Sequence, residues 1–218
     1  MTMKFNRVAL AATDPISLCE FYVETLGFAP VTGSQRSATA GETTLWFELG
    51  DTDPGHLAFT VSAAVDSVVA WLDERAGVDV LDTDEGPSVR FDFLGCDSVY
   101  FEDPEGNVIE YVCYDGDATG EFDPATDLRG ATEVGMAVPN VEEFVASMTE
   151  ALGIEPLESF EGGDLVFVGG RDARFVVSPV GRAWYPTDSE ATVGPVSAQC
   201  DADGVFDPEG LPYRVNVE

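Results

Sequence analysis

Glu110 is the first residue whose surroundings call for chemistry. It lies in Asp103-Pro104-Glu105-Gly106-Asn107-Val108-Ile109-Glu110-Tyr111, which reads as a tight turn running into a strand. Pro104 fixes φ, and Gly106-Asn107 supply the backbone freedom of a hairpin turn. Side chains alternate along Val108–Tyr114, so Glu110, Val112 and Tyr114 share one face. The β-branched and aromatic residues around Glu110 predict burial. A carboxylate in such a run is costly unless a cation, a metal ion or hydrogen bonds compensate it. The only histidine, His56, opens a second apolar run, His56–Val61, and faces away from Leu57 and Phe59.

The elements that must position these residues recur along the chain. A strand over Phe5–Ala12 leads to Asp14-Pro15, an N-cap followed by proline at the first helical position. Leu18, Phe21, Tyr22 and Leu26 then repeat at helical spacing, and Gly27 closes the helix. Short strands are expected near Ala29–Ser34, Gln35–Ala40 and Thr43–Leu49. The same order returns with strand His56–Val61 and a helix striped by Val65, Val68, Val69, Leu72 and Ala76, capped by Gly77. Strands near Val78–Asp82, Ser88–Leu94, Ser98–Glu102 and Val108–Tyr114 complete that unit. A third copy runs from Val134–Val138 through a helix with Asn140 as N-cap and Glu143 three residues on, an arrangement that closes a capping box. Strands near Pro156–Phe160, Leu165–Gly169 and Arg174–Pro179 follow. VALAATDPISLCEFYVETLGFAP and VGMAVPNVEEFVASMTEALGIEP share stripe, capped start and terminal Leu-Gly.

Repetition of this kind predicts an α+β fold of βαβββ units. The first two, residues 4–115, are expected to close one cupped barrel. Residues 116–130, rich in Asp, Gly, Thr and Pro, read as a linker. Residues 131–218 hold an incomplete set, with only Val193–Cys200 and Tyr213–Val217 strand-like beyond the third unit. That half either packs on the first pair or meets its counterpart in a homodimer.

Composition narrows the partners. The chain has 218 residues, 41 acidic against 10 basic, and a formal net charge of −31. Such self-repulsion opposes a compact state unless salt screens it, over about 8 Å at physiological strength and about 3 Å at 1 M. We read it as a protein of a high-salt cytoplasm. No basic patch exists to neutralise phosphate, which argues against nucleic acid. No apolar run approaches the roughly 20 residues of a membrane span, and no signal peptide is visible. Cys19, Cys96, Cys113 and Cys200 lack metal-site spacing, and Cys19 and Cys113 read as core residues.

The Asp-Pro-x-Gly-Asn-x-Ile-Glu turn and strand, within βαβββ repeats, resembles the vicinal oxygen chelate superfamily. That group includes glyoxalase I, bleomycin-resistance proteins and extradiol dioxygenases. The resemblance implies ligands at the first and last strands of paired units, which here are Arg7, Glu48, His56 and Glu110. It implies a metal site of Glu48, His56 and Glu110 for nickel, zinc, cobalt or manganese, with Glu48 or Glu110 as the proton-moving base. Arg7, Ala9 and Trp46 would line the pocket of a small-molecule substrate, and the reaction would be that of a glyoxalase-like lyase or isomerase. Strand parity agrees, since Arg7 shares a face with Ala9 and Ala11 and Glu48 alternates with Phe47 and Leu49. Arg7 departs from the pattern, because a guanidinium stays protonated and cannot ligate a metal. It could instead neutralise the carboxylates, which gives the alternative of a metal-free binding protein of the bleomycin-resistance type. A two-histidine dioxygenase centre is excluded by the single histidine.

Overall fold

The computed structural model describes residues 3–116, 120–157 and 164–217. The first unit comprises β1 (Phe5–Ala12), α1 (Pro15–Glu20) running into a π-turn over Phe21–Thr25, then β2 (Ala29–Pro30), β3 (Ser37–Ala40) and β4 (Thr43–Leu49). The second comprises β5 (His56–Val61), α2 (Val65–Trp71), β6 (Val89–Phe91), β7 (Cys96–Glu102) and β8 (Val108–Tyr114). A short α3 (Pro124–Asp127) leads to β9 (Leu128–Val138), α4 (Val141–Leu152), β10 (Val166–Gly169) and β11 (Arg174–Pro179). Two strands close the chain, β12 (Val196–Cys200) and β13 (Tyr213–Val215). The helices begin where side chains satisfy their free amides. Asp14 accepts from Ile16 and Ser17, and Asn140 accepts from Glu143. Gly153 ends α4 in the left-handed region at φ 65°, a conformation that favours glycine.

The strands form two curled sheets. One has the order β13-β12-β1-β4-β3-β2, the other β10-β11-β9-β5-β8-β7-β6. The fold is therefore α+β with cupped sheets, but the pairing of units differs from that read in the sequence. β1 and β5 lie in different sheets. β5 takes β9 as its antiparallel neighbour, with Leu57 opposite Val134 and Ala58 opposite Glu133. β1 takes β12, with Ala9 opposite Ser197. The second and third units thus share one cup, and the first shares the other with the two last strands. No half is left unpaired, so that argument for a homodimer lapses.

The connection before β9 supplies a physical reason. Residues 117–119 of the expected linker lie outside the described residues. Phe122 is buried, edge-on to Trp71 at 5.1 Å and near Tyr111 at 5.9 Å. An aromatic docked on the second unit returns the chain beside β5. Two further expectations shrink: Val78–Asp82 leaves only a bridge from Val80 to Phe101, and in 156–160 Pro156 bridges Val168 while 158–160 lie outside the described residues.

One core joins the inner faces of both sheets. Phe5 meets Phe175 edge-on at 5.1 Å, and Phe28 meets Phe59 at the same distance. Each such fully buried side chain contributes roughly 1.5–3 kcal/mol of transfer free energy. By alternation, the outer faces carry Arg7, Ala9, Trp46 and Glu48 on the first sheet and His56, Ala58, Glu110 and Glu133 on the second. Among the described residues, no helix is long and apolar enough to cross a bilayer.

Candidate functional site

Strand register assembles a row of side chains across the second sheet. Arg174 on β11 stands opposite Glu133 on β9, and Glu133 opposite Ala58 on β5. Ala58 stands opposite Glu110 on β8, and Glu110 opposite Tyr100 on β7. His56 is two residues from Ala58 and on the same face. The methyl of Ala58 leaves the middle of the row open, so the two carboxylates lean toward the imidazole. Gly135 serves the same end. A Cβ there would sit 3.0 Å from His56 Cβ and 3.0 Å from the Trp184 ring, so only glycine lets both rings lie over β9. Trp184 stacks on His56 with centroids 5.5 Å apart, and its Nε1 donates to Pro54 O at 3.2 Å.

The opening turn of the sequence anchors this imidazole. Asp103 is buried and accepts from Tyr22, Glu105 and Asn107. Asn107 Oδ1 in turn accepts from Gly55 N at 2.8 Å, and Val108 N donates to Gly55 O at 2.9 Å. The residue before His56 is thereby tied to β8. His56 Nδ1 lies 3.1 Å from Val108 O. A carbonyl only accepts, so Nδ1 carries the proton. Nε2 is left facing Glu133 Oε2 at 3.2 Å and Glu110 Oε2 at 3.4 Å. The other Glu133 oxygen accepts from Arg174 Nη2, and Arg174 Nη1 donates to Tyr114 OH at 2.8 Å. His56, Glu110, Glu133 and Arg174 are all buried.

The two carboxylates are not equivalent. Burial, then the charge of Glu133, pushes Glu110 up to about 7, against the opposing pull of His56 and Arg174. Burial also works to raise Glu133, but Arg174 and His56 override it and hold that carboxylate below its ordinary value. For His56, burial opposes the charged form, while the Glu133 hydrogen bond and both carboxylate charges outweigh it and raise the imidazole.

His56 and Glu110 are brought together as the sequence suggested; Glu48 is not with them. It is exposed on β4, opposite Ala11 in the other sheet. Arg7, Ala9 and Trp46 lie on that sheet too, with the Arg7 guanidinium 5.0 Å over the Trp46 ring. Glu133 takes the place expected for Glu48, and Arg174 is the neutralising cation expected of Arg7. Sequence reasoning missed Arg174. It marked Glu133 as the equivalent position of the third unit but did not join it to His56, and it read Trp184 only as part of an aromatic turn that could gate a pocket, seal a dimer or pack over the third unit. A signal existed in the match of His56-Leu-Ala-Phe with Glu133-Val-Gly-Met, each a polar residue, a small residue two places on, and apolar residues between. Within each unit the register repeats, His56 opposite Val108 and Glu133 opposite Arg174. Two residues further along, Glu110 therefore corresponds to Val176. Three of these four related positions offer donor atoms and the fourth is a buried valine.

Above this row is a cavity of about 680 Å³. Its floor is His56, Glu110 and Glu133, and Tyr100, Phe91, Phe167 and Trp184 supply apolar wall. The size and lining suit a small organic molecule. One donor atom from each of His56, Glu110 and Glu133 lies within 4.8 Å of the others.

No protein-family model and no curated protein matches the sequence. Solved structures do match. Over 91% of the chain the fold follows a provisionally assigned dioxygenase from Bacillus subtilis, covering 70% of that chain with a TM-score of 0.58 at 16% identity. Over 91% it also follows a point mutant of glyoxalase I from Zea mays, covering 76% of that chain with a TM-score of 0.54 at 13% identity. This chain has the vicinal oxygen chelate fold. At these identities the likeness is one of fold, and the chemistry has to be argued from the residues of this vicinal oxygen chelate cup.

Proposed function

We propose that His56, Glu110 and Glu133 hold one divalent metal ion and that the cavity above them takes a small carbonyl or enediol(ate) substrate, in a lyase or isomerase reaction. The observation that carries this reading is the aim of His56. Its Nδ1–H is committed to Val108 O, so a neutral imidazole presents the Nε2 lone pair to two carboxylate oxygens at 3.2 and 3.4 Å. Three electron-rich atoms converging in a buried site repel one another unless a cation joins them. One imidazole nitrogen and two carboxylate oxygens suit nickel, zinc, cobalt or manganese. A bound ion would supply Lewis acidity toward a substrate oxygen. Glu133, pinned by Arg174, keeps its charge in this arrangement. Glu110, the carboxyl pushed up to about 7 in the metal-free protein, is the group placed to take and return a proton. Trp184 and the aromatic walls keep bulk water from the floor. The high net charge fits such an activity to a salt-rich cytoplasm.

A second reading is favoured by Arg174. With His56 protonated, two cations face two carboxylates, and the cup is balanced without any ion, as a metal-free binding protein requires. Elemental analysis separates the two. Protein purified in high salt without chelator is expected to carry about one metal ion per chain, lost in Glu110→Ala and retained in Glu48→Ala. Wild-type protein that takes up none of the four metals on incubation would overturn the metal reading and leave the binding protein.

A further inference from the structure

The cavity has a mouth as well as a floor, and two arginines reach it, Arg90 and Arg182. In a chain with 41 acidic and 10 basic residues, a carboxylate beside every arginine is the expected state. Arg90 conforms. Asp115 takes both of its Nη groups at 2.8 and 2.7 Å, Asp97 accepts at 3.2 Å, and Asp92 accepts from Nε at 3.2 Å. Glu85, also at the mouth, accepts from the Arg90 amide at 3.2 Å. The acidic side chains of the mouth are thus turned onto Arg90.

Arg182 is different. Among the described residues it has no carboxylate partner, and its side chain makes one hydrogen bond, to the carbonyl of the adjacent Ala183 at 3.4 Å. Asp82 and Asp84 border a neighbouring depression that Arg182 also lines, yet neither pairs with it. Its backbone is held in place. Ala191 N donates to Arg182 O at 2.7 Å, and Gly181 N donates to Ala191 O at 2.8 Å. Two residues on, Trp184 is stacked on His56. A guanidinium with open donors therefore stands on an ordered turn at the rim of the cavity whose floor is the His56–Glu110–Glu133 cluster.

We infer that Arg182 recognises an anionic group on the substrate, so that the substrate class is a small organic acid. Its apolar body would lie along Phe91 and Phe167, its carboxylate on Arg182, and its adjacent oxygens toward the floor. This rests on the reading of the floor given above. The planar fork of arginine pairs with a carboxylate through two parallel hydrogen bonds, which lysine cannot reproduce. The inference also accounts for how so negative a chain admits an anion, since among the described residues Arg182 is the one cation lining the cavity mouth that is left without a carboxylate.

The test uses a probe whose chelating oxygens and carboxylate are separate, 3,4-dihydroxybenzoate, beside its uncharged methyl ester. Both are titrated calorimetrically, at one fixed salt concentration, into zinc-incubated wild type, Arg182→Gln and Arg182→Lys, with zinc content measured on each. The expected result is that wild type binds the acid about tenfold more tightly than the ester, that Arg182→Gln loses the preference, and that Arg182→Lys keeps part of it. An equal preference in Arg182→Gln, no preference in wild type, or no binding of either probe overturns the inference. Zinc content reports separately on the metal reading. A wild type without zinc that still prefers the acid through Arg182 would sink the metal and keep the arginine. Full zinc with no Arg182 dependence would do the reverse.

Discussion

On the first sheet Ala9 stands between Trp46 and Ser197, and on the second Ala58 stands between Glu110 and Glu133. Both are small residues at the centre of a cupped face, on strands with one parallel and one antiparallel neighbour. What surrounds them differs. Around Ala9 the charged groups stay near water: Glu48 is exposed, and Arg7 lies over Trp46 without an ion pair among the described residues. Around Ala58 the turn bearing Trp184 roofs the face, and His56, Glu110 and Glu133 are 7%, 5% and 3% exposed. Burial strengthens every charge interaction and makes an uncompensated charge costly, so the same backbone cup becomes a site only where it is covered. The cover comes from residues 181–187, far along the chain from either strand.

The widest separation between the two faces is expected from removing one carboxylate on each. Glu133→Ala leaves Arg174 buried without its partner and should cost about 3–5 kcal/mol. Glu48→Ala should change stability by no more than about 0.5 kcal/mol. Denaturant unfolding in high salt compares them, and similar losses would mean that the covered face is not electrostatically distinct.

Proton linkage gives a second contrast. In metal-free protein Glu110 keeps its proton to about 7, from an ordinary value of 4.5. The folded state then binds more protons across that window, so stability falls as pH rises through it. His56 acts in the same sense, its contribution complete below about 6.5 and lost as pH rises through its raised folded value. Glu133 has a lowered value, so its contribution is present above the ordinary value and fades only as pH falls through the folded one. The midpoint of thermal unfolding, at constant salt, is expected to decline from about pH 5 to about pH 8, and Glu110→Gln should flatten much of that decline. An unchanged slope in Glu110→Gln would assign the decline to the rest of the charge. Added zinc should raise the midpoint more at the upper end, because its ligands must be deprotonated.

Two smaller effects sharpen the same comparison. Gly135→Ala forces a methyl against His56 and Trp184 and should cost about 1–3 kcal/mol, with a shift in tryptophan fluorescence as the indole moves. Fluorescence identical to wild type would show that the rings have slack. Arg7→Ala removes a cation over Trp46 at a partly exposed position, and a loss of about 0.5–1 kcal/mol is expected by the same unfolding measurement. A loss as large as that of Glu133→Ala would mean the first face is more tightly organised than its exposure implies.

Much of the local architecture is legible in the residues alone. The bounds of Phe5–Ala12, His56–Val61, Val108–Tyr114 and Arg174–Pro179 follow from alternation and punctuation. Asp14 and Asn140 mark helix starts because their side chains accept from free backbone amides. Gly77, closing the π-turn over Leu72–Ala76 that continues α2, and Gly153 mark helix ends because they adopt the left-handed region, at φ 64° and 65°. The choice between Glu48 and Glu133 beside His56 is not legible in the same way. Both sit on strands of suitable parity, and the preference for Glu48 follows from pairing the first unit with the second.

By itself the sequence determined the elements, the capped helices, an apolar face beneath Glu110 and a single imidazole for any site. Only the tertiary structure decided that β5 lies beside β9, that Glu133 and Arg174 complete the row, and that Trp184 covers it. Caps and stripes are written in side chains a few residues apart. Strand pairing runs through the N–H and C=O groups that nearly every residue carries, so its partner is chosen by packing at a distance, here with Phe122 seated on Trp71 and Tyr111.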